Sequence, residues 1–257
     1  MTKAKKALYN AAYAAGVIAI VFVVWAASAA AIGSRYVLPN IPDTFAALGD
    51  VITGAPFWRG LAGTLLRCVI SYAVSLGIAL VLFFLCTAYK RFGRLAEPII
   101  SALRSLPAVA VTLIFIISVG GRWTPVVLGV IVIMPIMYSA ARARISTVPR
   151  ELDELCEQFG TNKFQKFGAL WFPQLAGALP DILSSAFSYN IKAVIGAEIL
   201  AQTASSLGML MTLEQASLQT ARLIALVFAT VVISVAAESV IKHTLGFALK
   251  KYSVSFG

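Results

Sequence analysis

The sequence predicts an all-α polytopic membrane protein, a single transmembrane domain over residues 1–257, and three observations lead there. Of its 257 residues 60% are hydrophobic and only 12% charged, with a mean hydropathy of +0.87, well outside the range of water-soluble domains. Six apolar runs are each long enough to span, since ~20 residues at ~1.5 Å rise cross a hydrocarbon core of ~30 Å. Between the runs, Lys and Arg gather in alternate connections, which is the charge pattern of a multi-pass chain.

The first span is placed at 11–32. Lys3, Lys5 and Lys6 precede it, and its length exceeds the apolar stretch of a signal peptide, so it reads as a retained anchor. Residues 34–60 form an external connector in which Pro39 and Pro42 precede DTFAALGDVI. Phe45, Leu48, Val51 and Ile52 recur there at helical spacing, and Asp43 suits the positive helix start, so a short surface helix is expected. The second span, 61–87, leads through a tight basic turn, AYKRFGR, to the third, 97–119. Pro107 in the third span and Pro135 in the fourth, 124–141, are expected to kink helices whose neighbours re-satisfy the freed carbonyls. The fifth and sixth spans are placed at 175–199 and 221–242.

Basic residues orient the chain. Lys90, Arg91, Arg94, Arg142, Arg144, Arg150, Lys163, Lys166, Lys242, Lys250 and Lys251 fall on the side of the N-terminal lysines, and Arg35, Arg59, Arg122 and Arg222 on the other. The positive-inside rule then puts both termini in the cytoplasm of a cell membrane. The net charge of +10 is divided among short loops, which suits anionic lipid headgroups and argues against nucleic acid. Cys68 and Cys86 are ~27 Å apart along one helix, beyond disulfide reach. Cys156 is cytoplasmic and His243 stands alone, so no disulfide, metal site or catalytic constellation is expected.

One stretch, 146–173, breaks the apolar run between the fourth and fifth spans. Its segment from Arg150 to Pro173 is amphipathic. Leu152, Leu155, Cys156 and Phe159 fall on one stripe of a helix, Pro149 suits its first turn, and Glu151 and Asp153 suit its positive end. Gly160 is expected to stop it in the left-handed conformation, and Thr161 or Asn162 to cap a second short helix with Phe164, Phe167 and Leu170 on its apolar side. Pro173 is expected to end the pair and start the fifth span. Taken alone, such a stretch is either a helix lying on the inner leaflet or a knob seated in a groove of another protein.

Glu154, Leu155, Cys156, Gly160, Leu170 and Pro173 match the spacing E-A-A-x3-G-x9-I-x-L-P, with Leu155 and Cys156 at the alanine positions and Leu170-Trp171-Phe172 before the proline. This resembles the cytoplasmic EAA loop of ATP-binding-cassette importer permeases. The segments VLPNIPDTFAAL (37–48), TLLRCVISYAVSLGIAL (64–80), LAEPIISALRSLPAVA (95–110) and AVIGAEILAQTASSLGMLM (193–211) are similar to the nitrate, sulfonate and taurine branch. The resemblance implies a type I importer permease fold with a cytoplasmic coupling-helix loop, in a bacterial inner membrane. It implies a homodimer bound to two ATPase subunits, which hold ATP and Mg, and fed by an extracytoplasmic solute-binding protein. It marks Glu154, Leu155, Cys156, Phe159, Gly160, Thr161, Phe164 and Pro173 as the ATPase-coupling residues. The chain has no G-x-x-x-x-G-K-[ST] loop of its own to cradle nucleotide phosphates, so no cofactor is expected in it.

Charges within spans are functional candidates. On the fifth span Asp181, Ser184, Ser185, Ser188 and Lys192 keep within about 40° of one line. They form either a solute path for a small, anionic solute or a small-residue packing face. Arg67 and Glu198 match in depth and are expected to pair; Arg104 with Asp181, and Glu238 with Lys242, are the other expected pairs. The same buried charges leave open an ion-coupled secondary transporter working without an ATPase.

Overall fold

Inside a bilayer no water satisfies the peptide groups, so an apolar chain closes its hydrogen bonds within helices. The computed structural model describes residues 3–250. In chain order its elements are α1 (Lys3–Ile32), α2 (Ile41–Thr53), α3 (Ala55–Ala88), α4 (Lys90–Ser105), α5 (Ala108–Val119), α6 (Thr124–Ile145), α7 (Arg150–Gln158) and α8 (Lys163–Lys166). A π-helical turn (Phe167–Trp171) follows, then α9 (Phe172–Ala176), α10 (Leu179–Ala201), α11 (Leu207–Ala216) and α12 (Thr220–Leu249). No strand occurs among the described residues. The side chains of Lys3, Lys5, Lys6 and Arg150, and residue Lys251, lie outside the described residues.

By length and composition α1, α3, α6 and α12 are able to cross a membrane. The expected third span departs from the sequence reading, because α4 and α5 meet at 96° instead of forming one kinked helix. A residue before proline is pushed out of the α region, and Leu106, before Pro107, is extended at ψ 130. What remains beyond the break, α5, has 12 residues, a rise of only ~18 Å. The basic segment taken for a turn is the first part of α4, whose apolar Phe92, Leu95 and Ile99 are exposed along one face. By contrast α6 runs as one helix through the buried Pro135. The expected fifth span begins at Leu179, after α9; Pro173 lies in the first turn of α9 and does not start it. Asp181, Lys192, Glu198 and its hydroxyls make α10 too polar to count with the four apolar helices.

Packing divides the chain into two units. One takes residues up to Trp58 together with Leu210–Thr230. Here Trp25 donates its indole N–H to the Pro39 carbonyl at 3.1 Å and stacks on Phe228, with ring centroids 5.7 Å apart. Phe22 stacks on Phe45 of α2, and the Thr220 hydroxyl donates to the Tyr36 carbonyl. The buried side of α2 is Thr44, Ala47 and Val51; of the expected stripe, Phe45 and Ile52 are exposed. Asp43 near the start of α2 also pairs with Arg35 at 3.7 Å.

The other unit takes Arg59–Met209 and the chain from Val231 on. The α6–α10 pair is its most extensive helix contact, and it depends on Gly129. A Cβ there would come within 2.8 Å of Asn190 Oδ1 and of Ser71, so only glycine admits the polar cluster between the helices. At one end Phe83, Cys86, Ile100, Ile133, Met137, Tyr138, Leu170, Trp171 and Leu175 form a continuous core. Between apolar helices in lipid, packing of this kind and interhelical hydrogen bonds hold the structure, since lipid tails are as apolar as leucine. Exposed Leu66, Val69 and Val74 on α3, and Val231, Val232 and Val235 on α12, are the side chains such a membrane protein turns outward.

Candidate functional site

The amphipathic stretch forms a braced two-helix knob. Gly160 adopts φ +63, which glycine tolerates and other residues rarely do, and ends α7. The Thr161 hydroxyl donates to the Cys156 carbonyl at 2.7 Å, closing the corner. Of the two caps considered, Asn162 starts α8: its side chain accepts from the Gln165 backbone while Gln165 accepts from the Asn162 backbone, satisfying two orphan donors. Lys166 ties the helices together, its ammonium 2.8 Å from Asp153 and 3.6 Å from Glu157. Lys163 covers the Tyr89 ring at 3.4 Å, within cation–π range.

The expected apolar stripe divides in two. Leu152 and Cys156 pack with Phe167 against the core, and Leu170 is buried within it. Leu155, Phe159 and Phe164 stay exposed, Phe159 by 82%. Phe164 leans on Phe84, with ring centroids 4.9 Å apart. The second helix is shorter than expected: α8 has 4 residues, and Phe167 to Trp171 continue it as a π turn that points Leu170 inward. Glu154 is exposed on α7, and Pro173 is half-buried behind the π turn. What the loop offers is an exposed apolar edge on a short, internally cross-linked support.

The hydroxyl stripe of α10 also divides. Ser184 and Ser188 are buried in the protein, and the Ser184 and Ser185 hydroxyls both donate to the Asp181 carbonyl of their own helix. Lys192 is exposed, its ammonium 5.2 Å from the Tyr189 ring centre. Asp181 pairs with Lys242 of α12 at 2.7 Å. This corrects two expectations: Arg104 makes no ion pair among the described residues, and Lys242 reaches across to Asp181 in preference to Glu238 one turn away. A local pair on one helix is worth little, so the longer reach loses nothing.

Arg67 and Glu198 meet at 2.9 Å, with the glutamate side chain fully buried and the arginine 16% exposed. The pair sits in a larger lock. Glu198 also accepts from the Thr64 hydroxyl at 2.9 Å and the Gly208 backbone at 3.3 Å. Arg67 also donates to the Ala204 and Ser205 carbonyls at 2.8 and 3.4 Å. The turn carrying those carbonyls bends at Gln202 and Ser205, both with positive φ, and Thr203 pins it to the Gly121 carbonyl at 2.8 Å. A Cβ on Gly63 would lie 2.0 Å from the Ser205 carbonyl oxygen, and one on Gly208 would lie 2.5 Å from the Glu198 Cβ. One turn deeper, the Ser71 hydroxyl donates to Asn190 Oδ1 at 3.0 Å, and the Asn190 amide donates to the Cys68 carbonyl at 2.7 Å. Thr64, Ser71, Ser75 and Asn190 were not singled out from the sequence. The signal was present: Thr64, Cys68, Ser71 and Ser75 recur at helical spacing along the second span.

Among the described residues no group of three His, Cys, Asp or Glu side chains is arranged to hold a metal ion. Residues 85–244 match the protein family described as binding-protein-dependent transport system inner membrane component. The chain is 29% identical over 182 residues to the formylaminopyrimidine transport permease protein ThiX of Halalkalibacterium halodurans, a match covering 70% of this chain and 71% of that protein. Its fold is also that of inward-facing structures of the MetNI methionine ABC transporter. One aligns with TM-score 0.54 at 19% identity, covering 73% of this chain and 93% of the other; a second gives 0.52 at 17%, covering 77% and 94%.

Proposed function

The chain belongs to the family of binding-protein-dependent transport system inner membrane components, and from that premise we propose that its α7–α8 knob is the seat of the ATPase that drives it. It is a membrane-embedded permease subunit of an ABC importer, a transport component and not an enzyme. The fold implies ATPase and binding-protein partners. In our reading two ATPase subunits, holding ATP and Mg, serve a homodimer of this chain. Both termini and the knob face the cytoplasm, and one transmembrane domain carries the stroke from the knob through α9 into α10.

The observation that carries the coupling role is the exposed edge of Leu155, Phe159 and Phe164 on a support cross-linked by Lys166, Thr161 and the Asn162–Gln165 cap. An apolar helix edge is read by a groove in a partner, and bracing lets the knob transmit displacement without melting. Glu154, Cys156, Gly160 and Pro173 serve that role indirectly, through charge, packing and the corner geometry. The ion-coupled transporter without an ATPase is not favoured by family membership.

For the solute, we propose a small organic molecule presented by an extracytoplasmic binding protein. The similarity to a formylaminopyrimidine permease puts that compound first to be tried, with nitrate, sulfonates and taurine, the solutes of the resembled branch, as the comparison set. Lys192 with Tyr189 on the exposed side of α10, and Asp181 and Ser185 further along it, form the candidate solute-facing line.

Two measurements test this reading. A membrane-impermeant maleimide should label Phe159→Cys in inside-out but not right-side-out vesicles. A cognate ATPase subunit should co-purify with this chain, and Phe159→Ala with Leu155→Ala should remove that association while the permease remains folded. Unchanged association would return the loop to the alternative of a helix lying on the inner leaflet.

A further inference from the structure

Away from the knob's exposed edge, a cavity of about 700 Å³ opens between the ends of α3, α4, α6 and α7. One face of α4 lines it with Lys90, Arg94 and Glu97, at helical spacing. Arg142 of α6 enters from the other side, 2.9 Å from Glu97 and 3.3 Å from the Thr87 hydroxyl, so its guanidinium is held in place. The two carboxylates of the lining are engaged: Glu97 by Arg142, and Asp153 by Lys166. Among the described residues Lys90 and Arg94 have no carboxylate within 4.0 Å. The cavity therefore presents two unneutralised cations beside a positioned guanidinium, which is the donor set that takes a phosphate-type anion.

The depth of the cavity follows from α4. Its apolar residues Phe92, Leu95 and Ile99 are exposed on the side of the helix opposite Lys90 and Arg94. A helix of this kind lies in the interface with its apolar side toward the acyl chains, which holds its cationic side at the level of the headgroups. We propose that this cavity binds the phosphate of an anionic inner-leaflet lipid, which bridges α4 to Arg142 beside the coupling loop. The proposal rests on the cytoplasmic orientation proposed above. Basic pockets between transmembrane helices on the cytoplasmic side are suited to such headgroups.

The test uses the full transporter complex, delipidated in detergent and titrated with dioleoylphosphatidylglycerol or dioleoylphosphatidylcholine, with retained lipid counted by native mass spectrometry. One phosphatidylglycerol per permease should be retained and phosphatidylcholine should not. Lys90→Gln with Arg94→Gln should weaken retention about thirty-fold, the effect of two surface cations. Arg91→Gln, an exposed cation outside the cavity, should keep the stoichiometry. Equal retention of both lipids, or retention indifferent to the double substitution, overturns the proposal. Saturation by inorganic phosphate with no dependence on lipid overturns the lipid assignment. If Phe159→Cys is labelled from outside, the orientation fails and this inference with it. If labelling is cytoplasmic and no lipid is retained, this inference alone fails.

Discussion

Removing either side of the Arg67–Glu198 pair should have unequal consequences, because the two side chains are buried unequally and supported differently. In Arg67→Met the carboxylate stays fully buried, with only the Thr64 hydroxyl and the Gly208 N–H left to it. An uncompensated buried charge costs about 3–5 kcal/mol. In Glu198→Gln the arginine keeps the Ala204 and Ser205 carbonyls and is part-exposed, so the loss should be nearer 1–3 kcal/mol. Arg67→Met combined with Glu198→Gln leaves no buried charge, and it should be more stable than Arg67→Met alone. Unfolding of the purified permease in mixed micelles, titrated with sodium dodecyl sulfate, gives the three values and their coupling. Additive losses, or a larger loss for Glu198→Gln than for Arg67→Met, would refute a lock held by charge.

Close backbone approach makes a second set of predictions, read by thermal unfolding in detergent. Gly208→Ala, on α11, puts a Cβ 2.5 Å from the Glu198 Cβ and 2.7 Å from the Ile199 nitrogen, and should cost roughly 1–3 kcal/mol; Gly196→Ala, on α10 with nothing within 4 Å, should be neutral or slightly stabilising. Gly160→Ala should cost about 1–2 kcal/mol through the left-handed backbone, and it should weaken ATPase association by distorting the corner between α7 and α8. Asn190→Leu removes the donor to the Cys68 carbonyl and the acceptor for Ser71, and should destabilise by about 1–3 kcal/mol. Lys192→Met, which removes an exposed ammonium 5.2 Å from the Tyr189 ring centre, should fold normally and change solute uptake; normal uptake would restrict the solute line to other residues.

The elements most legible in the sequence were those set by one dominant local force. Long apolar runs placed α1, α3, α6 and α12, and Gly160 at the end of an amphipathic stretch announced the corner of the knob. Arg67 and Glu198 could be matched because buried charges demand partners and their depths agreed. Hydropathy joins α4 and α5 into one span because it averages over Pro107 without registering that Leu106 leaves the helix there, a departure that the proline favours but that Pro135 does not produce in α6. Arg104 and Asp181 were matched on depth alone, without the facing directions that put Lys242 beside Asp181. The Asn190–Ser71–Gly129 contact was hidden for another reason. It is a three-helix coincidence in which glycine matters only because of what fills the space beside it, and that pairing is tertiary.

In the proposed coupling an ATPase works this permease through the exposed edge of the α7–α8 knob. The most direct measurement is ATP hydrolysis stimulated by the solute-loaded binding protein, together with solute uptake, in proteoliposomes of the reconstituted complex. Leu155→Asp with Phe159→Asp alters two exposed positions, so the permease should retain its unfolding midpoint while uptake and stimulation are both lost. Uptake at the unsubstituted rate with the edge made acidic, or uptake by the permease in the absence of any ATPase subunit, would contradict the account.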